Sequence, residues 1–201
     1  HANMIFLSPN IYIDGNMYHY TLGYSHMYGD IPGVTTNIQL LGDLYIGGGF
    51  DHDYLSKALK VNMIGSNDSK IIGTSTCIAQ THININKSTG NKVDMIGGFG
   101  TARDLTVSSG ILNVEPNMLV RIPNHGWNGF TSTFNTPNVQ FHNMSIDHGF
   151  RATSDILLDG DLSIGTNGGG NYSLSLGGAG QFVLQGNLNL GSGLPYGGGQ
   201  K

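Results

Sequence analysis

Asp161-Leu162-Ser163-Ile164-Gly165 is the clearest copy of a phrase that recurs along this chain. Its order is Asp or Asn, then Leu, any residue, an aliphatic residue and Gly. The same order appears as Asp43-Leu44-Tyr45-Ile46-Gly47 and as Asn187-Leu188-Asn189-Leu190-Gly191. A fourth copy, Asp104-Leu105-Thr106-Val107, reaches its glycine at Gly110. Each reads as a short strand, apolar at every second position and closed by a glycine turn. A chain that restarts short strands this often builds a repetitive β-surface. That predicts a structural or binding role ahead of an enclosed catalytic pocket.

Composition points the same way. The 201 residues include 32 glycines, and only 11% are charged. Of the 13 acids, Glu115 alone is glutamate. Aspartate favours turns and caps, whereas glutamate favours helix interiors, so the balance predicts strands and turns. The net charge of −4 and the scattered Lys and Arg argue against a nucleic-acid footprint, which needs a clustered basic face. No apolar run approaches the ~20 residues of a membrane-spanning helix. The single cysteine, Cys77, excludes an internal disulfide and a Cys-based zinc site within one chain.

The chain divides into five expected regions. Residues 1–50 form a β region rich in aromatics and histidine, densest over Met17–Tyr28. Residues 51–61 read as a short helix, capped by Asp51 or Asp53, with Tyr54, Leu55, Ala58 and Leu59 on one side. Residues 62–154 are strand-rich, with asparagines at outward-facing places and a long loop at 123–137 that holds the single Trp127. Residues 155–193 are the densest repeat block, and 194–201 form a tail. The repeat lacks a steady period, because its four leucines stand 61, 57 and 26 residues apart. That irregularity argues against a regular single-chain solenoid.

Two family resemblances follow from these stretches. Asn138, Val139, Phe141, Asn143, Ile146 and Gly149 match one coil of a right-handed parallel β-helix, whose coils stack inward aliphatics and can ladder asparagines. The block at 155–193 resembles the shaft repeats of bacteriophage tail fibres and tailspikes. That resemblance implies an all-β, elongated molecule, either solenoid-like or interwoven as a homotrimer, with at most one short helix. It also implies a virion tail location, or alternatively the bacterial cell surface. Physics supports association, since one thin ribbon cannot cover its own apolar face or satisfy its strand edges.

No constellation compels chemistry. A Gly-x-Ser-x-Gly elbow is missing, and the glycine runs lack the Lys-Ser/Thr ending of a phosphate loop. His19 with His26, and His142 with His148 beside Asp147, lack diagnostic zinc spacing. Asp155, Asp159 and Asp161 surround Gly160 without the spacing of an EF-hand. No cofactor and no metal are therefore expected. A polysaccharide hydrolase or lyase would draw on Asp147, His148, Arg151 and Asp155. The sequons at Asn67, Asn86, Asn143 and Asn171 are no more numerous than chance allows.

The expectation is thus a non-enzymatic module that holds or forms the receptor-binding part of a phage tail. Its partners would be its own copies in a homotrimer, other tail proteins, and a host-surface glycan or protein. The residues expected to bind are Tyr18, His19, Tyr20, Tyr24, His26, Tyr28, His125 and Trp127, because tyrosine and tryptophan give large amphipathic contacts at low entropy cost. A bacterial surface β-helix adhesin and a polysaccharide-degrading β-helix enzyme are the alternatives.

Overall fold

The computed structural model describes residues 2–20, 25–29, 34–47, 59–73, 81–101, 103–122, 131–165 and 176–191. The described residues contain strands and turns and no helix. In chain order the strands begin with β1 (Ala2–Phe6), β2 (Asn10–Ile13), β3 (Met17–Tyr20), β4 (Ser25–Gly29), β5 (Thr36–Leu40) and β6 (Leu44–Gly47). Next come β7 (Leu59–Gly65), β8 (Ser69–Gly73), β9 (His82–Lys87), β10 (Lys92–Ile96), β11 (Phe99–Gly100), β12 (Leu105–Ser109), β13 (Ile111–Val114) and β14 (Leu119–Ile122). The last are β15 (Thr131–Asn135), β16 (Gln140–Phe141), β17 (Asn143–Ile146), β18 (Gly149–Ala152), β19 (Ile156–Leu158), β20 (Leu162–Ile164), β21 (Leu176–Gly178), β22 (Phe182–Leu184) and β23 (Leu188–Leu190).

Every ladder is parallel, so the chain winds as a β-solenoid and each strand pairs with its counterpart one coil away. The longest sheet stacks β2-β5-β7-β9-β12-β15-β18-β21. A second face holds β3-β6-β8-β10-β13, and β16-β19-β22 form a separate sheet of the later coils. A third face holds β11-β14-β17-β20-β23.

Inward columns make the core. Ile11, Ile38, Val61, Ile83, Leu105, Phe134 and Ala152 follow one another up the long sheet. Phe99, Val120, Met144 and Leu162 do the same on the third face. All but the half-buried Ile11 are buried. In the later coils Phe134 packs edge-on to Phe150 at 5.1 Å, and Phe150 packs against Phe182 at 5.7 Å. Leu188 continues the third-face column but is 54% exposed, against 3% for Leu162 beneath it. Among the described residues no coil lies above it.

The recurring phrase marks corners rather than one face. Leu44 lies on the second face, Leu105 on the long sheet, and Leu162 and Leu188 on the third. What unites the copies at Leu44, Leu105 and Leu162 is the residue before the leucine. Its side-chain oxygen accepts a backbone N–H from the coil above. Asp43 Oδ1 accepts from Lys70 at 2.8 Å, Asp104 Oδ1 from Thr133 at 2.9 Å, and Asp161 Oδ1 from Asn187 at 2.9 Å. Asn16, Asp68, Asn143 and Asp155 do the same for Asp43, Lys92, Asp161 and Gln181. A short polar side chain satisfies a donor that the turning backbone leaves unpaired. In three copies a glycine precedes it, because the coils approach too closely there for a Cβ. One added at Gly42, Gly160 or Gly186 would collide with the carbonyl oxygen of Gly15, His142 or Gly160.

These bonds also correct the period argument. They span 27 residues at Asp43, 24 at Asp68, 29 at Asp104, 18 at Asn143 and 26 at Asp161. The chain is a single-chain solenoid whose coil length varies, because turns absorb insertions while strand register persists. The physical case for three chains weakens with it, since a chain wound over its own strands covers its own core. The β-helix-like coil is present: Val139, Phe141 and Ile146 are buried, and Asn138 turns the chain at φ 62. Asparagine tolerates that left-handed conformation.

Two local expectations need correction. The helix expected at 51–61 fails at Leu59, Lys60 and Val61, which open β7; residues 51–58 lie outside the described residues. Leu59, Val61 and Met63 alternate inward, so strand period overrides the weak helical spacing. The loop expected at 123–137 gives way at Thr131, where β15 begins with Ser132 and Phe134 buried.

Candidate functional site

The strands of the aromatic start belong to two different ladders. β3 carries Tyr18, His19 and Tyr20 in the second face, whereas β4 carries His26 and Tyr28 in a separate ladder with β1. His19 pairs in register with Ile46 and Tyr20 with Gly47, while His26 pairs with Asn3 and Tyr28 with Ile5. Tyr24, His125 and Trp127 lie outside the described residues.

Tyr18 is where the structure is informative. It is 57% exposed and stacks on Tyr45 of the next coil, with ring centroids 4.3 Å apart and planes 11° from parallel. Strand register puts the two side by side. Their hydroxyls are held by the residue two positions earlier in the same coil: Asn16 Nδ2 donates to Tyr18 Oη at 3.3 Å, and Tyr45 Oη donates to Asp43 Oδ2 at 3.3 Å. Lost water and then the Asp43 charge push the Tyr45 phenol pKa up. Among the described residues β3 is the end strand of its sheet.

A second feature was invisible in the sequence. A recess of about 190 Å³ opens on the long sheet, lined by Thr35, Lys60, His82, Ile83, Asp104 and Thr106. Lys60 and His82 are register partners, and Asp104 follows one coil on, beside the Ile83–Leu105 pair. His82 Nδ1 lies 3.0 Å from Asp104 Oδ2. The other Asp104 oxygen is fixed by the Thr133 N–H. The carboxylate is therefore clamped from above and orients the imidazole, leaving Nε2 as the second polar end of the ring. Burial pushes the Asp104 pKa up, but the His82 hydrogen bond and charge and the Thr133 bond outweigh it, so the net shift is down.

Beside this recess runs a polar ladder whose two asparagines are buried. Ser108 Oγ donates to Asn84 Oδ1 at 2.7 Å, and Asn84 Nδ2 donates to Asn62 Oδ1 at 3.1 Å. Ser108 is the extra residue of a bulge between Val107 and Ser109. Only a known register of 22 residues could have brought His82 to Asp104 from sequence.

The other chemical candidates are committed elsewhere. His142 lies 2.7 Å from Asp159 and 3.3 Å from the Val114 carbonyl, tying coils together. Asp155 and Asp161 each hold a backbone N–H of the next coil. Asp147 and His148 are buried while Arg151 is exposed, so the set Asp147, His148, Arg151 and Asp155 is divided between interior and surface. Among the described residues no group of three His, Cys, Asp or Glu could hold a metal ion, and no helix is long and apolar enough to cross a membrane.

No family model, curated protein or solved structure matches the chain. The architecture, a parallel β-solenoid, therefore rests on the strand register itself.

Proposed function

We propose that this solenoid is an attachment module that binds a host-surface glycan, as part of a phage tail fibre, tailspike or baseplate. The observation that carries the reading is the Tyr18–Tyr45 stack, with Tyr18 exposed, on the second face, in the coils that precede those lining a polar recess on the long sheet. A sugar offers C–H groups on its ring face and hydroxyls at its rim. The exposed part of the Tyr18 ring suits the first, and the Thr and His side chains of the recess suit the second. Anchoring both on strands keeps them preorganised, which lowers the entropy cost of binding. Assembly as a homotrimer would multiply weak sites by ~10²–10⁴ through avidity. The same surface would serve a bacterial surface adhesin.

A glycan array and a whole-cell binding assay test the reading. Wild type is expected to bind, and Tyr18→Ala is expected to weaken binding about tenfold, with unchanged circular dichroism. Undiminished binding by Tyr18→Ala and Tyr45→Ala would remove the site.

A further inference from the structure

The geometry points to an acidic polysaccharide as the ligand of the long sheet, its carboxylate or sulfate groups held by two cations, Lys60 and Arg151, that stand on one column of the solenoid. This rests on the glycan-binding reading and names the class of glycan.

The column follows from register. Lys60 pairs with His82, Asp104 lies one coil above, Thr133 follows, and Thr133 pairs with Arg151. At a strand spacing of ~4.8 Å, Lys60 and Arg151 stand about 19 Å apart along the stack. Lys60 and Arg151 are outward, and among the described residues neither is ion-paired. The acid in the column, Asp104, is spent on His82 and the Thr133 N–H. The equivalent column of the second face reads Asn16, Asp43, Lys70, Asp94 and Asn113, with its charges mixed and Asp94 drawn to Lys92 at 3.1 Å. From Leu162 to Gln200 no residue is charged. The long-sheet column thus carries two outward cations without an ion-pair partner among the described residues, Lys60 and Arg151, one on either side of Asp104.

Size and shape agree. At about 190 Å³ the recess is smaller than the ~300–1,000 Å³ of pockets that enclose a whole small molecule. It suits one unit of a polymer that continues past it. Lys60 would meet an acid group as a point charge, the His82 Nε2 end would hydrogen-bond beside it, and Thr35 and Thr106 would offer hydroxyls to the ring. Arg151 would meet an acid group further along.

Biolayer interferometry with immobilised polygalacturonate, dextran sulfate and neutral dextran tests this. Wild type is expected to bind at least one of the two acidic polymers and to prefer it to neutral dextran. The preference should shrink as salt rises. Whether carboxylate or sulfate is recognised follows from which polymer binds. Lys60→Met and Arg151→Gln should each weaken that binding about tenfold, as expected for losing a charge-assisted contact. Their melting curves should match wild type, since both side chains face outward. Equal binding to neutral dextran, or full acidic-polymer binding by both variants, would overturn the inference. Binding to host cells or neutral glycans without either acidic polymer would sink it while sparing the glycan-binding reading. No binding to cells or to any glycan would sink both.

Discussion

Lys87→Met offers the sharpest test of how the coils are held together. Lys87 is only 2% exposed, yet carries an ammonium group. Its Nζ donates to the Ile64 carbonyl at 2.7 Å and to the Leu41 carbonyl at 3.1 Å. Those residues lie 23 and 46 positions earlier, so one side chain ties its own coil to the two below. Methionine keeps the aliphatic stem and removes the donor. Two carbonyls then lose a charged donor, at ~1–3 kcal/mol each. Against this, the protein no longer strips water from a cation. Net, Lys87→Met should cost about 2–4 kcal/mol, which for a chain of this size lowers Tm by roughly 5–15 °C. The assay is thermal and urea unfolding followed by circular dichroism. A variant as stable as wild type would refute the reasoning, because an apolar side chain would then have replaced a buried cation without loss.

The same residue gives a pH signature. Burial holds the Lys87 pKa below its ordinary value, with the charges of Asp43 and Asp68 opposing. The unfolded chain thus binds this proton more tightly than the folded one. Wild-type stability should gain from Lys87 as pH rises from the folded pKa toward ~10.4, where the unfolded lysine titrates. The gap between wild type and Lys87→Met should therefore widen in alkali. A gap that narrows over that range would contradict a desolvated cation.

Two further outcomes follow from the corners and columns. The Asp104 pKa is held below the ordinary carboxylate value, so its contribution is present above ~4 and is lost as pH falls through the folded pKa; wild type should exceed Asp104→Asn at pH 7 and converge with it in acid unfolding titrations. Leu162→Ala should cost about 2–4 kcal/mol in urea unfolding and Leu188→Ala under about 1 kcal/mol, because the two share a column but among the described residues only Leu162 has a coil above it; equal losses would mean that Leu188 is covered in solution.

Much of the fold was legible because strand period is a local property. Val61, Met63, Ile83 and Ile85 alternate with polar residues, and that pattern alone predicts their burial. Coil length was not legible, because it is set by turns whose insertions leave the rungs untouched. Leucines on three different faces were read as one repeat, so their spacing had no reason to be constant. The site suffered from the same limit. Tyr18 stood out by residue type, whereas His82 and Asp104 are ordinary in sequence and meet only through a 22-residue register. Lys87 closes β9, and nothing local in the sequence signals the two carbonyls that draw it inward.

Asp104 shows how such a scaffold can acquire a site. The Asp or Asn at each corner needs one side-chain oxygen to hold the coil above. An aspartate has a second, and its use is free to vary. At Asp43 it accepts the Tyr45 hydroxyl beside the Tyr18 stack. At Asp104 it meets the ring of His82 in the recess. At Asn16 and Asn143 an amide nitrogen takes its place and donates instead, to the Tyr18 hydroxyl and the Asn117 carbonyl. Both candidate binding features thus grow from the residue that the fold already requires. New specificity at a corner needs a change one coil away, where register fixes the neighbour, and leaves the structural bond intact. A solenoid with unequal coils can therefore vary its surface column by column without disturbing its core.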